Sequence, residues 1–302
     1  MVQDLPLDIK QAVQMRLFTS PEKTMELMKI PNDQRLFAIF EGLFQGMDSD
    51  KISELSGYDK FFIEKMKNIA NAISTIRPNT IPENMEYLKM IGISDQTISY
   101  YSGISEPEII RHRIENKILP VYKNIDTCSA EFSSDTAYLY SSYDVFNDNR
   151  ISNKKKVIVI GSGPNRISQG VEFDYGAVKS ILSLKTMDYE SIMVNSNPET
   201  VSTDFDISDK LYFEPVTLEH VSNIVSAEKP EGIIIQFSGQ TGQNMASGLS
   251  KIFQNIVMGT KPEDIYRIEE RTIFSKTLKS LGIKQPDYIE VSNINELEEK
   301  IR

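Results

Sequence analysis

The chain has 302 residues, of which 40% are hydrophobic, enough apolar side chain for two cores of ordinary size and too much for a disordered chain. No internal run of eighteen residues is apolar, and the opening MVQDLPLDIK has no basic segment ahead of an apolar one, so neither a membrane span nor a signal peptide is expected. The net charge of −10 is shared: residues 1–150 carry 16 basic and 22 acidic side chains and 151–302 carry 17 and 21, which leaves no basic footprint for nucleic acid. Cys128 is alone and His112 and His220 are far apart, which excludes an internal disulfide, argues against a zinc site and points to a reducing, cytoplasmic setting.

In chain order, the first 150 residues read as helices. Thr19-Ser20-Pro21-Glu22 is a cap followed by proline at the first helical position, with Met25, Leu27 and Met28 behind it. LFAIFEGLF after Asp33 is a strongly apolar helix ending near Gly46. SDKISELSGYDKFFIEKMK at 49–67 resembles SDQTISYYSGISEPEIIRHR at 94–113. In each, Ser-Asp opens a short helix, Gly57 or Gly103 stops it, and a longer helix follows. Two similar αα-hairpins are expected, and the acidic balance argues against a helix-turn-helix DNA reader. Residues 118–150 are rich in Tyr, Ser and Thr and end in the polar DVFNDNRISN, which reads as a domain boundary.

From Lys154 the pattern alternates. Strands are expected at Val157–Ile160, Ser191–Asn195, Leu211–Phe213, Gly232–Phe237 and Ile256–Met258. Helices are expected at Tyr175–Met187, Leu218–Glu228 behind a Thr217 cap, and Thr241–Phe253. Apolar strands separated by helices predict a Rossmann-like α/β domain with a parallel sheet. One long helix over Pro262–Leu281, a strand at Asp287–Val291 and a helix from Glu296 complete the reading.

The first strand runs into GSGPNRISQG. This has two glycines of a dinucleotide fingerprint, but Arg166 stands at the third, and VNSNPET after the second strand offers Asn195 and Asn197 where a ribose-binding acid belongs. Three polar loops, PNRISQGVEFDY, NSNPETVSTDFD and SGQTGQNMA, follow successive strands at the edge where open α/β sheets bind ligands. They carry Glu172, Asp174, Glu199, Asp204 and Gln240. The plainer reading for some of them is capping, with Thr200 or Ser202 opening a turn and Asp174 opening a helix.

GPNRISQGVEFDYGAV, MVNSNPETVSTDFDISDKLYFEPVTLE and IIIQFSGQT resemble the second, synthetic half of the carbamoyl-phosphate synthetase large subunit. ILPVYKNIDTCSAEFSSDTAYLYSSY resembles the segment before it, and the helical part resembles that family's oligomerisation domain. The resemblance implies three units: a helical oligomerisation domain at 1–150, a pre-ATP-grasp Rossmann-like domain at 151–262, and the start of an ATP-grasp domain at 263–302. It implies a ligase that makes carbamoyl phosphate from bicarbonate, glutamine-derived ammonia and two ATP for pyrimidine and arginine synthesis. ATP and Mg²⁺ (or Mn²⁺) would be its cofactors, and a small glutaminase subunit and the rest of the large subunit its partners. Glu172 and Glu199 match residues lining the carbamate passage, and Arg271 matches an arginine that contacts ATP. The same arginine read without the resemblance is a helix-surface residue paired with Glu269 or Glu270. Three positions depart from the family: Ser168 and Ser238 replace glycines, and Gly242 replaces the proline after GGQT. The phosphate loop, the metal-holding acids and the effector domain have no counterpart in the sequence. No catalytic residue or metal ligand is therefore expected here, and the chain alone is expected to be inactive. The alternatives are a self-association scaffold, using Leu36, Phe37, Phe40, Phe44, Phe61 and Phe62, and another ATP-grasp ligase such as a biotin-dependent carboxylase.

Overall fold

The computed structural model describes residues 20–129, 131–132, 136–164, 171–286, 288–289, 291 and 296–297. Of the expected strand at 287–291, the described residues 288, 289 and 291 take no strand geometry and 287 and 290 lie outside the description, as does most of the helix expected from Glu296. Helices come first: α1 Pro21–Lys29, α2 Arg35–Phe44, α3 Ser49–Ser56, α4 Lys60–Ile73, α5 Met85–Met90, α6 Asp95–Ser102 and α7 Glu106–Glu115. Their ends follow from local chemistry. Ser20 caps α1 ahead of Pro21, and Asp48, Asp59 and Ser94 each accept a backbone N–H in the first turn of the following helix. Gly57 and Gly103 close α3 and α6 at φ of 73° and 74°, where a side chain would be strained.

The two hairpins are copies over a longer stretch than their sequences suggest. Matching the caps pairs Asp48 with Ser94, one residue off the Ser-Asp alignment. Gly46 then falls on Gly92, Ile52 on Ile98, Gly57 on Gly103, Ile63 on Ile109 and Lys67 on Arg113. The backbone bonds repeat in that register. Met47 N donates to Gly42 O as Ile93 N donates to Leu88 O, and Ile63 N to Asp59 O as Ile109 N to Ser105 O. The repeat therefore takes in α2 and α5 as well. The first copy packs around Ile39, Ile52 and Ile63, the second around Met85, Ile98 and Ile109, and α4 runs through both cores.

The second half is a six-stranded sheet in the order β1-β2-β5-β4-β3-β6. Its strands are β1 Val121–Asn124, β2 Tyr138–Ser142, β3 Lys156–Ile160, β4 Glu190–Asn195, β5 Lys210–Phe213 and β6 Gly232–Ile234. The sheet is mixed rather than parallel. β2 to β6 run parallel, but β1 lies antiparallel on β2 as an edge strand. Both β1 and β2 come from the 118–150 stretch, whose hydroxyl-rich composition hid a hairpin. Side chains alternate as the pleat requires. Ile158, Ile160, Ile192 and Val194 pack under α9 Leu218–Glu228 and α10 Gly239–Ile252, while Val157, Val159 and Met193 pack under α8 Val171–Thr186.

Three further expectations change. The strand from Gly232 stops at Ile234, and Ile256–Met258 contributes only a single bridge, from Val257 to Ile233. The helix expected over 262–281 is two, α11 Pro262–Glu269 and α12 Arg271–Ser280. The break is at Glu270, which leaves helical geometry so that its carboxylate can accept Thr272 N at 3.1 Å. The helix expected from Tyr175 begins at Val171, so Asp174 lies inside its first turn and does not open it.

Two clusters of buried charge stand out among the described residues. At the amino ends of the strands, Lys156 and Lys210 each reach Glu228 at 2.8 Å, and Tyr212 and Asn149 donate to the same carboxylate. Burial works to raise the Glu228 carboxyl, but these hydrogen bonds outweigh it and hold it below the ordinary range. The second place joins the two halves. Arg113 donates to Asp95 through Nε at 2.8 Å and through Nη2, and to Asn223 Oδ1 at 3.2 Å. Lys89 sits 3.1 Å from Asp95 and 2.5 Å from Glu219, whose other oxygen accepts Asp95 N at 2.7 Å. Asp95 is the first residue of α6, so Glu219 from α9 satisfies one of the amides that a helix start leaves open.

Glu106, at the start of α7, faces this cluster. Burial, with the charges of Asp95 and Glu219, pushes its carboxyl up to about 7 against the opposing pull of Lys89 and Arg113. Folding therefore favours its protonated form. The stability this contributes is complete below the unfolded value and is lost as pH rises through 7, by up to about 3 kcal/mol. Urea unfolding of wild type and Glu106→Gln between pH 5 and 8 should show a fall in wild type that the variant lacks.

Candidate functional site: the carboxyl edge of the sheet

The strand order reverses at β3, which has β4 on one side and β6 on the other. The loops after β3 and β6 diverge there and leave a crevice, the usual ligand position in an open α/β sheet. The loop after β4 borders it. Arg166 and the rest of 165–170 lie outside the described residues.

Asn195, the last residue of β4, organises this edge. Its Oδ1 accepts Gly163 N at 3.1 Å and Asn197 N at 3.3 Å, and its Nδ2 donates to Ser202 Oγ at 3.3 Å. Ser202 N in turn donates to Asp174 Oδ2 at 3.1 Å. One buried chain of side chains thus ties the glycine turn, the loop after β4 and the first turn of α8 together. Gly161 is required by this arrangement, since a methyl group there would stand 2.5 Å from Asn195 Cγ. Gly163, at φ 75°, takes the left-handed conformation that lets the turn double back.

The expected site residues divide by burial. Asp174 is buried and acts as the anchor just described. Thr200 opens the short 3-10 turn Val201–Thr203, but through backbone geometry, because its side chain makes no capping bond. Glu172, Glu199 and Asp204 are exposed along the same edge. Glu199 is held at its backbone, where its N–H donates to Asn197 Oδ1 at 3.0 Å. Exposed Gln240, after β6, donates to Glu269 at 3.3 Å and so links the crevice to the end of α11. Arg271 follows as the first residue of α12 and is exposed. It forms no ion pair with Glu269 or Glu270 among the described residues, since Glu269 takes Gln240 and Glu270 caps Thr272.

The described residues of the three loops carry carboxylates and amides and no lysine or arginine. Among the described residues, this rim offers hydrogen-bond acceptors and amide donors and no cation. Among the described residues, no group of three His, Cys, Asp or Glu could hold a metal ion. An open groove of about 580 Å³ lies beside the crevice, between α8 and the end of β6. Its walls include Tyr175, Leu184, Ile234 and Phe237, and none of the rim carboxylates.

Sequence reasoning passed over Asn195 and Ser202 as organisers, having weighed Asn195 only as a failed ribose ligand. It also left Ser238 and Gly242 as unrelated departures. Ser238 is fully buried and donates to Ile235 O at 2.5 Å, and a methyl group on Gly242 would lie 1.6 Å from Ser238 Oγ. A serine at 238 therefore demands a glycine one helical turn on. Gly242→Ala should cost about 1–3 kcal/mol, and adding Ser238→Gly should recover most of that loss. Urea unfolding of the two single variants and the double measures the coupling, and strictly additive costs would contradict it.

Comparison with known proteins bears on the whole chain. Residues 153–267 match the carbamoyl phosphate synthase preATP-grasp domain, and residues 6–117 match the carbamoyl-phosphate synthetase large chain oligomerisation domain. Carbamoyl phosphate synthase large chains from Thermoplasma volcanium and Thermoplasma acidophilum are 52% and 51% identical over 291 residues, which is 96% of this chain and 28% of each relative. That from Methanothermobacter thermautotrophicus is 46% identical over 273 residues, 90% of this chain and 26% of its own. The chain thus spans little more than a quarter of these relatives, and over nearly all of its own length it belongs to the carbamoyl-phosphate synthetase large-chain family.

Proposed function

We propose that the chain serves as the central part of a glutamine-dependent carbamoyl-phosphate synthetase large chain, in the half that phosphorylates carbamate. In this reading 1–150 is the oligomerisation domain, 151–262 the pre-ATP-grasp domain and 263–302 the start of an ATP-grasp domain. The β1–β2 hairpin is then a strap by which the first unit extends the sheet of the second. The intact enzyme is a cytoplasmic ligase that works with a small glutaminase subunit and makes carbamoyl phosphate for pyrimidine and arginine synthesis.

The observation that carries this reading is the edge held by Asn195. Glu172 and Glu199 stand exposed on adjoining elements that one hydrogen-bonded chain fixes together, as residues lining a passage for a small polar intermediate need to be. Carboxylates and amides suit carbamate and ammonia, whose N–H groups they accept. Arg271, exposed and unpaired by its neighbours, is free to fork onto a phosphate.

The described residues do not by themselves fit ATP and Mg²⁺. They offer one exposed guanidinium near the crevice and no metal-holding acids. Phosphoryl transfer is carried by metal and cation stabilisation, so turnover requires the remainder of a large chain. The purified 302-residue chain, given bicarbonate, ammonia and Mg-ATP, should form no carbamoyl phosphate above an enzyme-free control. Sustained formation would contradict the proposal.

A further inference from the structure

The apolar cores stop where the two halves meet. The two clusters of the helical half draw every member from residues 27–118, and the two that face the sheet draw theirs from 122 onward. Ile110 is wholly buried on the side of α7 that carries Glu106 and Arg113, and it belongs to none of the four. The bonds that cross the junction are polar. Arg113 donates to Asn223 Oδ1 at 3.2 Å, Glu219 takes Asp95 N at 2.7 Å, and Arg111 donates to Lys251 O at 3.3 Å. Each half therefore keeps its own core if this contact opens, as units that open below the level of global unfolding do.

The junction is also short of positive charge. Asp95, Glu214 and Glu219 are buried there and Glu106 is half-buried beside them, against two permanent cations, Lys89 and Arg113. Both cations are taken. Lys89 lies 3.1 Å from Asp95 and 2.5 Å from Glu219, and Arg113 clasps Asp95. Glu214 accepts Ser141 N and faces His220 Nε2 at 3.8 Å, a partner charged only when protonated. Glu106 is left without a hydrogen bond or ion pair among the described residues. The elements packed against α7 bring it no further cation. α6 carries Asp95 and two tyrosines, and α9 starts with Glu219 and His220 and ends on Glu228. α10 carries only Lys251, near its far end, and Tyr143 after β2 accepts Arg113. On α7 itself Glu108 takes Ser105, Arg111 takes the Lys251 carbonyl, His112 lies against Asn116, and Glu115 ends the helix.

We infer that the junction is a proton-operated latch: with Glu106 protonated, α6 and α7 stay seated on α9 and α10, and with Glu106 ionised the two halves part far more often while each remains folded. Burial and the carboxylates of Asp95 and Glu219 push its carboxyl up to about 7 in the seated state, and parting returns it to water and toward the ordinary carboxylate range. The seated state therefore holds the extra proton. Its advantage is complete below the ordinary value and is lost as pH rises through 7. The inference goes beyond the reaction proposed above and does not depend on it.

Thiol labelling tests it. Ile110→Cys is placed in the 302-residue chain with Cys128→Ser, and its rate with a dilute aromatic disulfide is divided by that of the same cysteine in an unstructured peptide at each pH. The normalised rate should be about tenfold higher at pH 8.5 than at pH 6. It should change little in dilute urea and lie well above that of Ile160→Cys, which reads global unfolding from β3. With Glu106→Gln added, the rate should be the same at both pH values. Asn223→Cys reads the same opening from the α9 side if Ile110→Cys does not fold. No rise with pH, a rise that survives Glu106→Gln, or equal normalised rates and urea slopes at 110 and 160 would each overturn the inference. The carbamate reading stands or falls separately, because labelling is read without turnover.

Discussion

The two halves of this molecule meet over a cluster of two cations and two carboxylates that water does not reach. Lys89, Asp95, Arg113 and Glu219 together carry no net charge, and each belongs to a different helix, so that none is satisfied within its own element. Taking four charges out of water is expensive, and their attraction repays it only when the geometry is complete. That requirement makes the cluster a specificity device. Burial favours raising the Glu219 carboxyl, but Lys89, His220 and Arg113 outweigh it and keep it below its ordinary value. An apolar contact would tolerate sliding between the halves, whereas this one holds a single register.

The carboxyl edge of the sheet uses neutral groups for a similar end. Asn195 contributes both an acceptor and a donor, so one side chain spaces two loops, and Asp174 fixes the helix beneath them. The exposed Glu172 and Glu199 then stand on elements that this network joins. At the opposite end of the strands Glu228 gathers Lys156, Lys210, Tyr212 and Asn149 and ties β3, β5 and the segment before β3 to the end of α9. The ionic anchor and the polar crevice are thus at opposite ends of the same strands.

Much of this was legible in the sequence where local chemistry decides. Ser20-Pro21, Gly57, Gly103 and Thr217 announce helix ends because caps act within a few residues. The all-apolar strand at 157–160 announces a sheet covered on both faces. The edge strand at 121–124 was not legible, because VYKN lacks a pattern of useful length and forms only against Tyr138–Ser142. The break at Glu270 was hidden because glutamate is a good helix former and only its capping bond reveals it. Arg113 and Lys89 carry no signal of their burial, since a sequence does not show which helix face another part of the chain will cover. Of the candidate site, the loops and Glu199 were legible, whereas Glu172, read as part of a loop, lies in the first turn of α8. The Asn195 network was not, because its bonds join residues from three separate segments.

Native-state hydrogen exchange on Glu219→Ala tests the central role of the junction most directly. Removing that carboxylate takes from Lys89 one of its two carboxylate partners and leaves the start of α6 with an open amide. Amides across 95–102, 106–115 and 218–228 should therefore lose protection together, by an amount equivalent to about 3–5 kcal/mol. Loss confined to the first turn of α9, with 95–115 protected as before, would contradict the account.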